Sequence, residues 1–144
     1  MVREVISVDG ESTVNEAVDI MNEFHIGSLI VTGKGKATGI MTERDLLKRV
    51  IGEARDVNKT KVKEIMTTPL AVADPDMDLE EAVKLMFQKG IKKLAVIDIG
   101  KLVGIVTLTD IARHQPQMMQ VLKQLTAKQA APENIQKVIN YYIV

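Results

Sequence analysis

Residues 39–45 read Gly39-Ile40-Met41-Thr42-Glu43-Arg44-Asp45, and residues 104–110 read Gly104-Ile105-Val106-Thr107-Leu108-Thr109-Asp110. The offset of 65 positions holds well beyond these heptapeptides. Compared without a gap, residues 9–48 and 74–113 are identical at 14 of 40 positions, where composition alone gives about two or three. The shared positions include Glu16/Glu81, Ala17/Ala82, Val18/Val83, Met21/Met86, Ile26/Ile91, Leu29/Leu94, Val31/Val96 and Gly35/Gly100. A repeat of this length means that one structural unit has been used twice.

Outward from the heptapeptides, each copy predicts the same run of elements. A short strand (Val5–Val8, then Leu70–Ala73) leads to a helix with apolar residues at helical spacing, Val14, Ala17, Val18 and Met21 or Leu79, Ala82, Val83 and Met86. Thr13 and Asp78 stand at the N-cap positions, and Gly90 ends the second of these helices where the first has His25. Two apolar strands then form a hairpin, Ser28–Thr32 with Ala37–Met41 and Lys93–Ile97 with Leu102–Val106, with a glycine at the same place in each turn for positive φ. A second helix opens at Thr42 or Thr107. The expected fold is mixed α+β: two pseudo-symmetric β-α-β-β-α units packed sheet to sheet, with a C-terminal helical extension. The boundaries are 1–52 for the first unit, 53–65 for a linker and lead-in, 66–114 for the second unit and 115–144 for the extension. That extension predicts a helix over Gln117–Lys128 and another from Pro132, with Ile135, Val138, Ile139 and Tyr142 on one side.

Composition narrows the function. The chain has 144 residues, 46% of them hydrophobic, enough for a core and against wholesale disorder. Nineteen basic and nineteen acidic residues give zero formal net charge, which speaks against a dedicated nucleic-acid binder. There is no cysteine, so thiol catalysis, disulfides and thiolate metal sites are excluded, and the histidines, His25 and His114, are too few for a His-based centre. No apolar run approaches a membrane span and no signal core opens the chain, so a cytoplasmic address is expected. The Gly33-Lys34-Gly35-Lys36 stretch lacks the spacing of a phosphate-binding loop, and no triad, HExxH or Rossmann pattern is present.

The repeated Thr-x-x-Asp has two readings. As a capping box, the Thr hydroxyl satisfies the third helical N–H and the Asp answers back. As a ligand site, the carboxylate accepts vicinal ribose hydroxyls while the hydroxyl and the helix start meet phosphate. One copy alone is weak support for the second reading; two copies inside one repeat are stronger.

These heptapeptides, the segment Val62-Lys63-Glu64-Ile65-Met66-Thr67 and the run Ile91-Lys92-Lys93-Leu94-Ala95-Val96 resemble a tandem pair of cystathionine β-synthase (CBS) domains, a Bateman module, over about residues 1–114. The resemblance implies a non-catalytic, regulatory, energy-sensing module that requires no cofactor. It would bind AMP, ADP or ATP, less often S-adenosylmethionine or NAD, in clefts between the paired domains. It also implies a homodimer signalling to a partner protein; no membrane partner is expected, and the zero net charge speaks against a nucleic acid. Carried over by position, Asp45 and Asp110 take the ribose and Thr42 and Thr107 contact phosphate or ribose. Lys92 and Lys93 reach phosphate, or are a solvated turn, and Thr67, Thr68 and Pro69 border the adenine. The copies are expected to be unequal. The first has Gly27-Ser28 in place of Lys92-Lys93, with Arg44 as a partial substitute, and lacks the lead-in segment. The alternative is an interaction module whose nucleotide sites have decayed.

Overall fold

The computed structural model describes residues 5–128 and Ile135. The chain divides into two units, the first spanning Val5–Leu70 and the second beginning at Ala71. In the first unit, strand β1 (Ser7–Asp9) precedes helix α1 (Val14–Phe24), strands β2 (Ser28–Gly33) and β3 (Lys36–Thr42), and helix α2 (Glu43–Asp45). Helix α2 runs on into a π-helical stretch, Leu46–Ile51, and a short helix α3 (Val62–Ile65) follows. The second unit repeats the pattern with β4 (Val72–Ala73), α4 (Leu79–Lys89), β5 (Lys93–Asp98), β6 (Lys101–Thr107) and α5 (Leu108–His114). It ends in a 3₁₀ turn, Pro116–Met118, and helix α6 (Met119–Lys128).

Each unit holds a three-stranded sheet of the same topology, in order β1-β2-β3 and β4-β5-β6. The outer strand is parallel to the middle one and the hairpin is antiparallel, with Ser28 opposite Thr42 and Lys93 opposite Thr107. Even the irregularity is copied: the ladder shifts between Val31 and Thr32 in one hairpin and between Val96 and Ile97 in the other. The hairpin turns place two consecutive residues at positive φ, Lys34 and Gly35 in one, Ile99 and Gly100 in the other. That is the primed-turn geometry that matches the right-handed twist of the strands.

The caps follow the sequence. Thr13 accepts the Glu16 N–H and Asp78 accepts the Glu81 N–H. His25 and Gly90 end their helices in the left-handed conformation. Among the described residues no cluster of side chains fit to hold a metal ion occurs, and no helix is long and apolar enough to cross a membrane.

The units complete their cores with different segments. In the first, Val62 and Ile65 of α3 are fully buried against Val14, Ala17, Leu29, Met41 and Val50. The stretch read as linker and lead-in therefore folds onto the first unit. Its backbone is tied there by Val14 N–H to Thr60 O (2.9 Å), Val62 N–H to Ser12 O (2.9 Å) and Lys63 N–H to Gly10 O (3.0 Å). Each buried aliphatic side chain contributes roughly 1.5–3 kcal/mol. In the second unit, Met119 and Leu122 of α6 join Ala82, Met86, Phe87 and Leu108, and Ile135 is buried in the same cluster. The helix expected from Pro132 and its residues Val138, Ile139 and Tyr142 lie outside the described residues.

Candidate functional site

In the second unit, β6 ends at Thr107, which is extended (φ −114°, ψ 148°) and accepts the Asp110 N–H on its hydroxyl at 3.0 Å. Buried Leu108, Ile111 and Ala112 anchor α5, which leaves Thr107 and Asp110 half-buried. The ladder brings the lysines to the same edge. Lys93 lies opposite Thr107, so their side chains share a face of the sheet, and the Lys92 carbonyl accepts the Leu108 N–H at 2.8 Å. Lys92 is exposed and Lys93 half-buried. The capping exchange is one-directional here: the hydroxyl caps Asp110, and the box is not closed by a return bond from Asp110 to the Thr107 backbone. A half-exposed carboxylate, a hydroxyl and two cationic residues are therefore gathered at one strand-to-helix corner.

The first unit uses the same residues differently. Thr42 accepts the Asp45 N–H at 3.3 Å, and the box is closed: Asp45 Oδ2 accepts the Thr42 N–H at 3.0 Å and the Thr42 hydroxyl at 3.3 Å. Asp45 Oδ1 accepts the Thr67 hydroxyl at 2.8 Å and lies 3.9 Å from Arg49 Nε. The Asp45 side chain is only 8% exposed. Arg49 also donates through Nη1 to the carbonyls of Ile65 (3.1 Å) and Met66 (2.9 Å), the open end of α3. Thr67 and Ile40 exchange backbone hydrogen bonds of 2.8 and 3.1 Å. Gly39 permits that approach, since a Cβ there would stand 2.8 Å from Thr67 O and 2.9 Å from Met66 Sδ.

The predicted residues thus fall into two sets. Lys92, Lys93, Thr107 and Asp110 come together on the second unit. Thr42, Asp45 and Thr67 come together on the first, so residues 62–67, read as the lead-in to the second copy, lie against the first. Arg44 is exposed on α2, and Thr68 and Pro69, joined by a cis peptide bond, are exposed beyond Thr67. Arg49 was missed by sequence reasoning; its signal is the spacing of four from Asp45 along a helix. Glu43 was missed too. Its carboxylate lies against Gly27, 3.3 Å from where a Cβ would be, at the position that Lys92 holds in the other copy.

The segment leading to α3 is also held by charge. Lys61 and Lys63 both donate to the Glu11 carboxylate. Hydrogen bonds from these lysines hold its pKa down, to about 2, and the Glu11 bond raises that of Lys61.

Comparison with known proteins agrees with this architecture. Residues 1–52 and 62–116 each match the profile described as CBS domain. The chain is 37% identical over 115 residues to the CBS domain-containing protein YhcV of Bacillus subtilis, covering 80% of this chain and 81% of that one. It is 36% identical over 124 residues to an uncharacterized protein of Methanopyrus kandleri, covering 85% of this chain but only 63% of that protein's length. Among solved structures, a conserved CBS-domain protein of unknown function from Thermoplasma acidophilum superposes with a TM-score of 0.73 at 31% identity, over 85% of this chain and 71% of that one. With the repeat, the twin sheets and the paired strand-to-helix corners in place, the chain belongs to the CBS-domain family and carries two copies of the domain in tandem.

Proposed function

We propose that the chain is a non-catalytic binding module for an adenosyl nucleotide, AMP, ADP or ATP, which passes the bound state to a partner protein. The observation that carries this reading is the corner at Asp110. Its carboxylate is half-exposed and outside a closed capping box, with Lys92 and Lys93 on the same edge. The carboxylate takes the ribose hydroxyls, Thr107 donates to ribose or phosphate, and the lysines balance the phosphate charge. Apolar Leu47 and Ile51, 62% and 70% exposed on the π-helical stretch, support self-association as a homodimer.

A thermal-shift screen with AMP, ADP, ATP, NAD and S-adenosylmethionine tests the reading, with Asp110→Ala beside the parent chain. A ligand at about 100 times its Kd adds roughly 2.7 kcal/mol, a rise of about 6–11 °C for a domain of this size. The rise is expected with one of the nucleotides and is lost in Asp110→Ala. A cooperatively folded chain that shifts with none of them is an interaction module instead.

A further inference from the structure

We infer that the two copies of the motif have diverged in role: Asp45 anchors an internal latch, and the chain takes a single adenosyl ligand, at the second unit. This deepens the proposed reading and rests on it.

The first carboxylate is already engaged on both oxygens. A carboxylate offers about four acceptor sites. On Asp45 the Thr42 N–H and hydroxyl occupy Oδ2, the Thr67 hydroxyl occupies Oδ1, and Arg49 approaches the same oxygen. A ribose diol would have to displace Thr67 and reach a side chain that is 8% exposed. The charged groups beside the motif differ as well. Glu43 lies against Gly27, where the second copy has Lys92, and Arg49 is already engaged by the carbonyls of Ile65 and Met66. The surroundings are shaped for the latch: Gly39 leaves room for Met66 and Thr67, and the Ile40–Thr67 pair fixes the backbone that presents the Thr67 hydroxyl. None of these features has a counterpart at Asp110 among the described residues, where Thr107 makes only the forward bond.

Equilibrium dialysis with AMP, ADP and ATP counts the sites directly. The expected saturation is one equivalent per chain, falling to none in Asp110→Ala. It stays at one in Asp45→Asn and Thr67→Val, with Kd changed by less than about twofold. In Thr67→Val, which keeps the side-chain shape and the capping box, the Ile40 and Thr67 amides should exchange with solvent about tenfold faster, the size of one hydrogen bond to a charged group. Two equivalents in the parent chain, a lost equivalent in Asp45→Asn, or unchanged amide exchange in Thr67→Val would overturn the inference. Two equivalents would leave the proposed function standing, whereas no binding of any of the three nucleotides would overturn both.

Discussion

The two units share a sheet topology, a ladder shift, a pair of turns and a Thr-x-x-Asp corner, yet they finish these common parts in different ways. The first closes its capping box and draws residues 57–67 across itself, burying Val62 and Ile65. The second leaves its box half-made and covers its helices with α6, burying Met119 and Leu122. The lesson is that a repeated motif specifies a local geometry, and the segment that packs beside it decides whether its polar groups are spent inside the protein or remain for a ligand.

The largest effects should come from the segments that complete each core. Ile65→Ala and Leu122→Ala each remove a fully buried aliphatic side chain and should cost about 2–5 kcal/mol in chemical denaturation. Hydrogen exchange should show Ile65→Ala loosening β1–α3 and Leu122→Ala loosening β4–α6. If both variants loosen the same unit, the division of the cores drawn here is wrong. A smaller effect lies in the turns. Ile99 is a β-branched residue at φ 48°, 94% exposed, whereas Lys34 holds the same place in the first hairpin. Ile99→Asn should stabilise the chain by about 1 kcal/mol. Lys34→Asn should give less, and equal gains would show that branching at Ile99 adds no strain.

The smallest effect concerns the ion pairs of Glu11 with Lys61 and Lys63, for which the second unit shows no counterpart among its described residues. Because folding lowers the pKa of Glu11 from 4.5 to about 2, the stabilisation is fully present above 4.5. It is lost as pH falls from there toward about 2. An NMR titration of the Glu11 carboxyl should give the low midpoint. The small Tm difference between Glu11→Gln and the parent at neutral pH should shrink with acid and with salt.

Most of the fold was legible in the primary structure. The repeat gave the number of units, Thr13 and Asp78 gave the helix starts, and glycines at equal places gave the turns. The docking of residues 57–67 was not legible, because Gly52–Lys61 is polar and reads as a connector, and Val62 and Ile65 are too short an apolar pair to announce their partner. The corner residues were legible as a set, but not which lead-in meets which carboxylate. Thr67 stands next to the second copy in the chain and bonds Asp45 of the first.

By itself the sequence determined the local structure, since capping, periodicity and turn chemistry act over a few residues and leave their signal in adjacent letters. Tertiary structure alone decided the state of the two carboxylates. Asp45 and Asp110 occur in heptapeptides identical at four of seven positions, and what separates them is burial and the donor brought by Thr67. Those contacts depend on where distant apolar side chains find a core, and no local pattern records that.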